Sequence, residues 1–178
     1  LGEKHPNTAV SYNNIGNVNF NLGDYVQALE YHNKALKIRE EVLGEKHPYT
    51  AGSYYNIGNV YYKLEDYKDA LGYYNKALEI RKERLREKHP DTASSYNNIG
   101  NVYYKLGDYD KALEYCNKAL EIRKELLGEN HPDTATSYNN IGNVYYKLED
   151  YVQALENYNK SLKIRREVLG EKHKDIAG

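Results

Sequence analysis

The chain has 178 residues, of which 29% are charged with the two signs intermixed, and its formal net charge is −1. Phosphate-backbone binding needs a concentrated basic face, which a near-neutral chain does not offer on average, so no nucleic-acid partner is expected. No apolar run approaches the roughly 18 residues of a membrane span, no signal-peptide pattern opens the chain, and no membrane association is expected.

Cys116 is the sole cysteine, which excludes a disulfide framework and a thiolate cluster and fits a reducing, cytoplasmic setting. There are 21 Tyr against one Phe, with no Trp and no Met. The missing Met leads to the expectation that the sequence is a segment of something longer.

Read in order, the chain repeats itself every 42 residues. Pro6, Pro48, Pro90 and Pro132 share this offset, as do Gly16, Gly58, Gly100 and Gly142, and Ala28, Ala70, Ala112 and Ala154. Residues 3–44, 45–86, 87–128 and 129–170 are near copies, and residues 171–178 begin a fifth; the whole is expected to form a single array over residues 1–178. In the third copy the spacing predicts a first helix from about Pro90 to Leu106, with Ala93, Tyr96, Ile99, Gly100, Tyr103 and Leu106 on a buried stripe. Pro suits the first helical turn, Gly107 a left-handed C-cap and Asp108 the N-cap that follows. A second helix is predicted from Tyr109 to Leu127, closed by Gly128, with Tyr109, Ala112, Leu113, Cys116, Ala119, Leu120 and Leu127 inward. Gly100 is expected to face Ala112 and Ala119. Glu65 and Glu149 stand where the first-helix cap is otherwise Gly, at a cost of about 1 kcal/mol each if the backbone there is left-handed. One hairpin cannot bury its stripe alone, so an all-α solenoid of four stacked hairpins, about eight helices, is expected.

The segment Ser95–Leu120, SYNNIGNVYYKLGDYDKALEYCNKAL, resembles the tetratricopeptide repeat along its whole signature. Tyr96, Ile99-Gly100, Tyr103, Ala112, Cys116 and Ala119 supply the fixed positions, with Ile for Leu and Cys for an aromatic. The usual repeat is about 34 residues long and ends with Pro; here Lys124 occupies that place and the helix runs on. The linker pattern Leu-Gly-x-x-His-Pro-x-x-Ala resembles the 42-residue repeats of kinesin light chains and their relatives. The resemblance implies a right-handed superhelix whose first helices line a concave groove, and a protein-interaction scaffold rather than an enzyme.

First-helix positions off the buried stripe should then line the groove: Ser94, Asn97, Asn98, Asn101, Tyr104 and Lys105 in the third copy. Asn14, Asn56, Asn98 and Asn140 form one file across the copies, and Asn17, Asn59, Asn101 and Asn143 a second. An Asn amide both donates and accepts, so such files can pair with the backbone of an extended peptide, as in peptide-holding members of the superfamily. The same files could instead bond to each other and fix the stacking of repeats. Tyr62, Tyr104 and Tyr146, with Lys63, Lys105 and Lys147, complete the expected groove. The lysines could favour an acidic ligand or form a solvated face.

His5, His47, His89, His131 and His173 recur once per copy, too far apart to share a metal at about 2 Å, and read as turn or N-cap residues. No Ser-His-Asp set, phosphate loop or paired-carboxylate cleft is present, so no catalytic residue, cofactor or metal is expected. Two functions stay open: a scaffold holding an extended segment of a protein partner, and a structural array that associates end to end with itself.

Overall fold

The structure, a computed structural model, describes residues 5–169. The start of a fifth copy at residues 171–178, with His173, lies outside the described residues. The helices are α1 (Pro6–Leu22), α2 (Tyr25–Leu43), α3 (Pro48–Lys63), α4 (Tyr67–Leu85), α5 (Pro90–Leu106), α6 (Tyr109–Leu127), α7 (Pro132–Lys147) and α8 (Tyr151–Leu169). Among the described residues there is no strand.

The chain divides into two compact units, Leu1–Glu87 and Lys88–Gly178. In the first unit α1 pairs with α2 and α3 with α4, α2 packs on α3, and α1 touches α3. The second unit repeats this plan, with α5 on α6, α7 on α8, α6 on α7 and α5 touching α7.

Local chemistry fixes the helix ends. Each first helix starts on a histidine: Nδ1 of His5, His47, His89 and His131 accepts the backbone N–H two residues on, at 3.1 Å, and Pro follows in the first turn. Each second helix starts on an aspartate; Asp24, Asp66, Asp108 and Asp150 accept the N–H three residues on, at 3.0–3.2 Å. Gly107 closes α5 in the left-handed region at φ 80°. Glu65 and Glu149 adopt the same region at φ 61° without glycine's freedom. Gly128 follows α6 at φ 88°, ψ 169°, and Arg86 takes the same conformation after α4, at φ 80°, ψ 162°.

Small residues let the paired helices approach. A Cβ on Gly58 would lie 2.7 Å from the Tyr74 ring, and one on Gly100 would lie 2.7 Å from Cys116 Sγ and 3.3 Å from the Ala112 carbonyl oxygen. The expected crossing of Gly100 with Ala112 is present, but its nearest side chain is Cys116 and not Ala119. Leu36, Ala51, Tyr54, Ile57, Ala77 and Ile80 form one core in the first unit. In the second, Ala135, Tyr138 and Ile164 pack with Leu120. Two residues placed on buried stripes do not belong there. Leu106 and Leu127 are 52% and 37% exposed, because each is the last residue of its helix and has no facing turn.

Candidate functional site

Within each unit the neighbouring first helices carry the Asn files. In the first unit Asn14 and Asn17 of α1 are exposed, while Asn56 and Asn59 of α3 are half-buried. Asn56 Nδ2 donates to Asn13 Oδ1 at 2.9 Å, tying α3 to α1. Tyr74 reaches over from α4, and its hydroxyl donates to Asn59 Oδ1 at 2.8 Å.

The second unit repeats both bonds. Asn140 Nδ2 donates to Asn97 Oδ1 at 2.9 Å, and the Tyr158 hydroxyl donates to Asn143 Oδ1 at 2.8 Å. Asn97 was expected on the open groove; it is buried instead, because Arg123 Nη1 donates to its Oδ1 at 3.3 Å and its own Nδ2 donates to Asn98 Oδ1 at 3.3 Å.

The second file therefore alternates. Where a tyrosine stands on the second helix, as at Tyr74 and Tyr158, the facing Asn carbonyl is occupied. His32 and Cys116 hold that register in the first and third copies and supply no such hydroxyl. Asn17 and Asn101 consequently make no side-chain hydrogen bond among the described residues. His32 is itself buried, with Nδ1 unpaired among the described residues. Burial, helped by the nearby Arg39 charge, lowers its pKa to about 4. Burial pushes the Cys116 thiol up to about 12, which makes it a packing residue rather than a nucleophile.

Tyr62, Tyr104 and Tyr146 lie near the ends of the first helices, each against the tyrosine that opens the next helix: Tyr67 at 5.8 Å, Tyr109 at 6.1 Å and Tyr151 at 5.6 Å between ring centroids. Lys63, Lys105 and Lys147 are exposed beside them, in the last turn of helices whose C-terminal dipoles favour a positive charge. An open hollow of about 470 Å³ lies elsewhere in the first unit, among Glu40, Lys46, Tyr54, Lys76, Glu79 and Glu83. Within it Lys46 Nζ sits 2.9 Å from Glu83, and the Tyr54 hydroxyl donates to Glu40 at 2.5 Å. No group of three His, Cys, Asp or Glu side chains among the described residues could hold a metal ion. No helix there is long and apolar enough to cross a membrane.

Sequence reasoning missed a buried arginine at each inter-repeat junction within a unit. Arg39 Nη1 donates to Ser53 Oγ at 2.7 Å and to the Tyr49 carbonyl at 3.0 Å. Arg123 makes the matching bonds to Ser137 at 2.7 Å and to the Asp133 carbonyl at 3.2 Å. The signal was available: Arg39, Arg81, Arg123 and Arg165 each follow an isoleucine at 42-residue spacing, and Ser53 and Ser137 belong to a serine series, Ser11, Ser53, Ser95 and Ser137, with the same spacing.

A tetratricopeptide-repeat family model matches residues 7–83 and 91–177, and a second matches residues 55–126. The chain belongs to the tetratricopeptide repeat family. Repeats of this family mediate protein–protein interaction. No curated protein sequence matches the chain. Among solved structures it is similar to BtubC (BKLC) from P. vanneervenii, at 30% identity and a TM-score of 0.84, over 93% of this chain and 66% of that one. It is also similar in fold to a Podosopora anserina protein taken for a kinesin light chain, with nearly identical TPR-like repeats (20% identity, TM-score 0.75, 94% of this chain and 79% of that one). The apo form of RapI matches at 27% identity and a TM-score of 0.79, over 89% of this chain and 56% of that one. The tetratricopeptide chain thus spans just under two thirds of BtubC and somewhat over half of RapI, and its structural neighbours include kinesin-light-chain-like repeat proteins.

Proposed function

We propose that residues 1–178 form a non-catalytic scaffold in which the first-helix face of each unit holds an extended segment of a protein partner. One observation carries the reading: Asn17 and Asn101 keep their amides unengaged among the described residues, because His32 and Cys116 replace the tyrosine that occupies Asn59 and Asn143. An extended peptide offers an N–H and a C=O at each residue, which is the complement an Asn amide needs. Asn14 adds a third such amide on α1.

Selection from a random-peptide display library, followed by titration of the selected peptides, tests this. Asn17→Ala with Asn101→Ala should weaken a selected peptide about tenfold or more, by loss of its hydrogen bonds, and leave the melting temperature in place. Asn56→Ala with Asn140→Ala should instead lower the melting temperature, because those amides join neighbouring first helices. Failure to select any peptide, or selected peptides indifferent to Asn17 and Asn101, would remove the groove reading. The second reading, a structural array without a peptide ligand, draws support from the same two bonds, Asn56 to Asn13 and Asn140 to Asn97.

A further inference from the structure

The copies are so alike that a place where they reverse charge stands out. The open hollow of about 470 Å³ in the first unit, walled by α2, the linker after it, α3 and α4, is such a place. Its lining sets four glutamates, Glu40, Glu45, Glu79 and Glu83, against Lys46 and Lys76. Two steps of 42 residues along the chain, Lys124 stands for Glu40, Lys163 for Glu79 and Asn130 for Lys46. With Lys160, three lysines there meet two glutamates, Glu129 and Glu167. Tyr54 and Ile80 keep their identity as Tyr138 and Ile164, so the repeat holds its packing while the charge is inverted. The fold does not require an acidic lining.

The carboxylates are also engaged differently. In the second unit Lys124 pairs with Glu129 at 2.5 Å, and Lys163 stands 3.9 Å from Glu167. In the first, Tyr54 donates to Glu40 and Lys46 lies beside Glu83, but Glu45 and Glu79 have no hydrogen bond or ion pair among the described residues. Aromatic faces adjoin them. The rings of Tyr54 and Tyr73 are 6.2 Å apart, and the Lys76 ammonium lies over both, 5.3 and 5.5 Å from their centroids. Ring faces attract a cation, and here the chain supplies one of its own. Its hold is weak. Lys34, Lys118 and Lys160 also lie over tyrosines, and each is pinned at 2.6 Å by the glutamate four residues before it, Glu30, Glu114 and Glu156. Gly72 stands in that glutamate's place before Lys76, which is exposed and has no ion pair among the described residues.

We propose that this hollow binds a basic segment of a partner protein, whose arginine or lysine side chain displaces Lys76 from the Tyr54 and Tyr73 rings and pairs with Glu45 and Glu79. The surplus negative charge of the lining complements such a segment. The rings offer it the surface that Lys76 now covers, and no ion pair has to break to free them. The matching place in the second unit, with surplus positive charge and Lys160 pinned, should not take it. The site uses none of the Asn-file residues and stands apart from the groove reading.

Fluorescence anisotropy at low ionic strength, where surface charges are least screened, tests the site. The probe is a labelled peptide of alternating arginine and glycine, with a glutamine–glycine peptide as its neutral counterpart. The arginine peptide should bind and the glutamine peptide should not. Glu45→Gln with Glu79→Lys should weaken binding about tenfold or more. Glu121→Lys with Glu129→Gln makes the same charge change in the other unit and should leave binding as it was. Gly72→Glu separates displacement of Lys76 from general attraction. It adds a negative charge, yet by pinning Lys76 over the rings it should weaken binding about threefold. A Cβ at Gly72 meets nothing within 4 Å, and the other four sites are exposed, so circular dichroism should show the fold retained in every variant. No binding of the arginine peptide, equal loss in the two charge-matched variants, or tighter binding by Gly72→Glu would each overturn the proposal.

Discussion

His32 shows how one residue separates the copies chemically. It fills the place of Tyr74 and Tyr158, so close to α1 that a Cβ on Gly16 would lie 2.7 Å from its ring. A buried imidazole with an unpaired Nδ1 resists protonation. Its pKa in the folded chain, about 4, lies below the ordinary 6.5. Between these values the unfolded chain binds the proton more readily, so the stability contributed by a neutral His32 is full above pH 6.5 and is lost as pH falls toward 4. The gap corresponds to about 3 kcal/mol. His32→Tyr should remove this dependence and place a hydroxyl against Asn17, as Tyr74 does against Asn59. Thermal unfolding followed by circular dichroism at pH 7.5, 6 and 5 would check it. The variant's advantage in melting temperature should widen as pH falls; a constant offset would mean that His32 is paired in solution. On the proposed function, the substitution should also silence Asn17 toward a selected peptide.

At the scale of the helices, the ends carry the strain and the middles carry the packing. Glu65 and Glu149 sit in the left-handed region at φ 61°, where a Cβ is disfavoured by about 1 kcal/mol. Arg86, at φ 80° and ψ 162°, is in a region that is essentially glycine's, with an expected cost of about 1–3 kcal/mol. Glu65→Gly and Arg86→Gly should therefore each stabilise the chain in urea denaturation, Arg86→Gly by more; a loss of stability in either would show that its side-chain contacts outweigh the backbone strain. The positions of these ends were legible in the sequence, because Pro, Asp and Gly recur at fixed offsets and each has one local role. The buried small residues were legible for the same reason. Leu106 and Leu127 were misplaced because periodicity assigns a face without knowing where the facing helix stops. Asn97 was misread and Arg123 was missed because burial of a polar side chain depends on a partner from another helix. Ser137 and Asn140, which decide it, are 40 or more residues from Asn97. The Asn files were visible as files, but the alternation within them was not: it depends on which second-helix residue reaches across, and only Tyr74 and Tyr158 reach.

For the molecule as a whole, a stack of like hairpins is stable in proportion to the neighbours each one has. In the first unit α3 is covered on both sides of its stripe, with Ile57 and Val60 fully buried, while Ile15 and Val18 on α1 are open. In the second unit Ile141 and Val144 of α7 are buried, while Leu155 on α8 is open. Amides in helices with one covered face exchange through smaller openings than those locked between two neighbours. In dilute solution hydrogen exchange should accordingly be faster in α1 than in α3 and faster in α8 than in α7. Uniform exchange across each unit in dilute solution would show that α1 and α8 are as firmly held as the helices beside them, and that their open apolar residues cost the fold nothing.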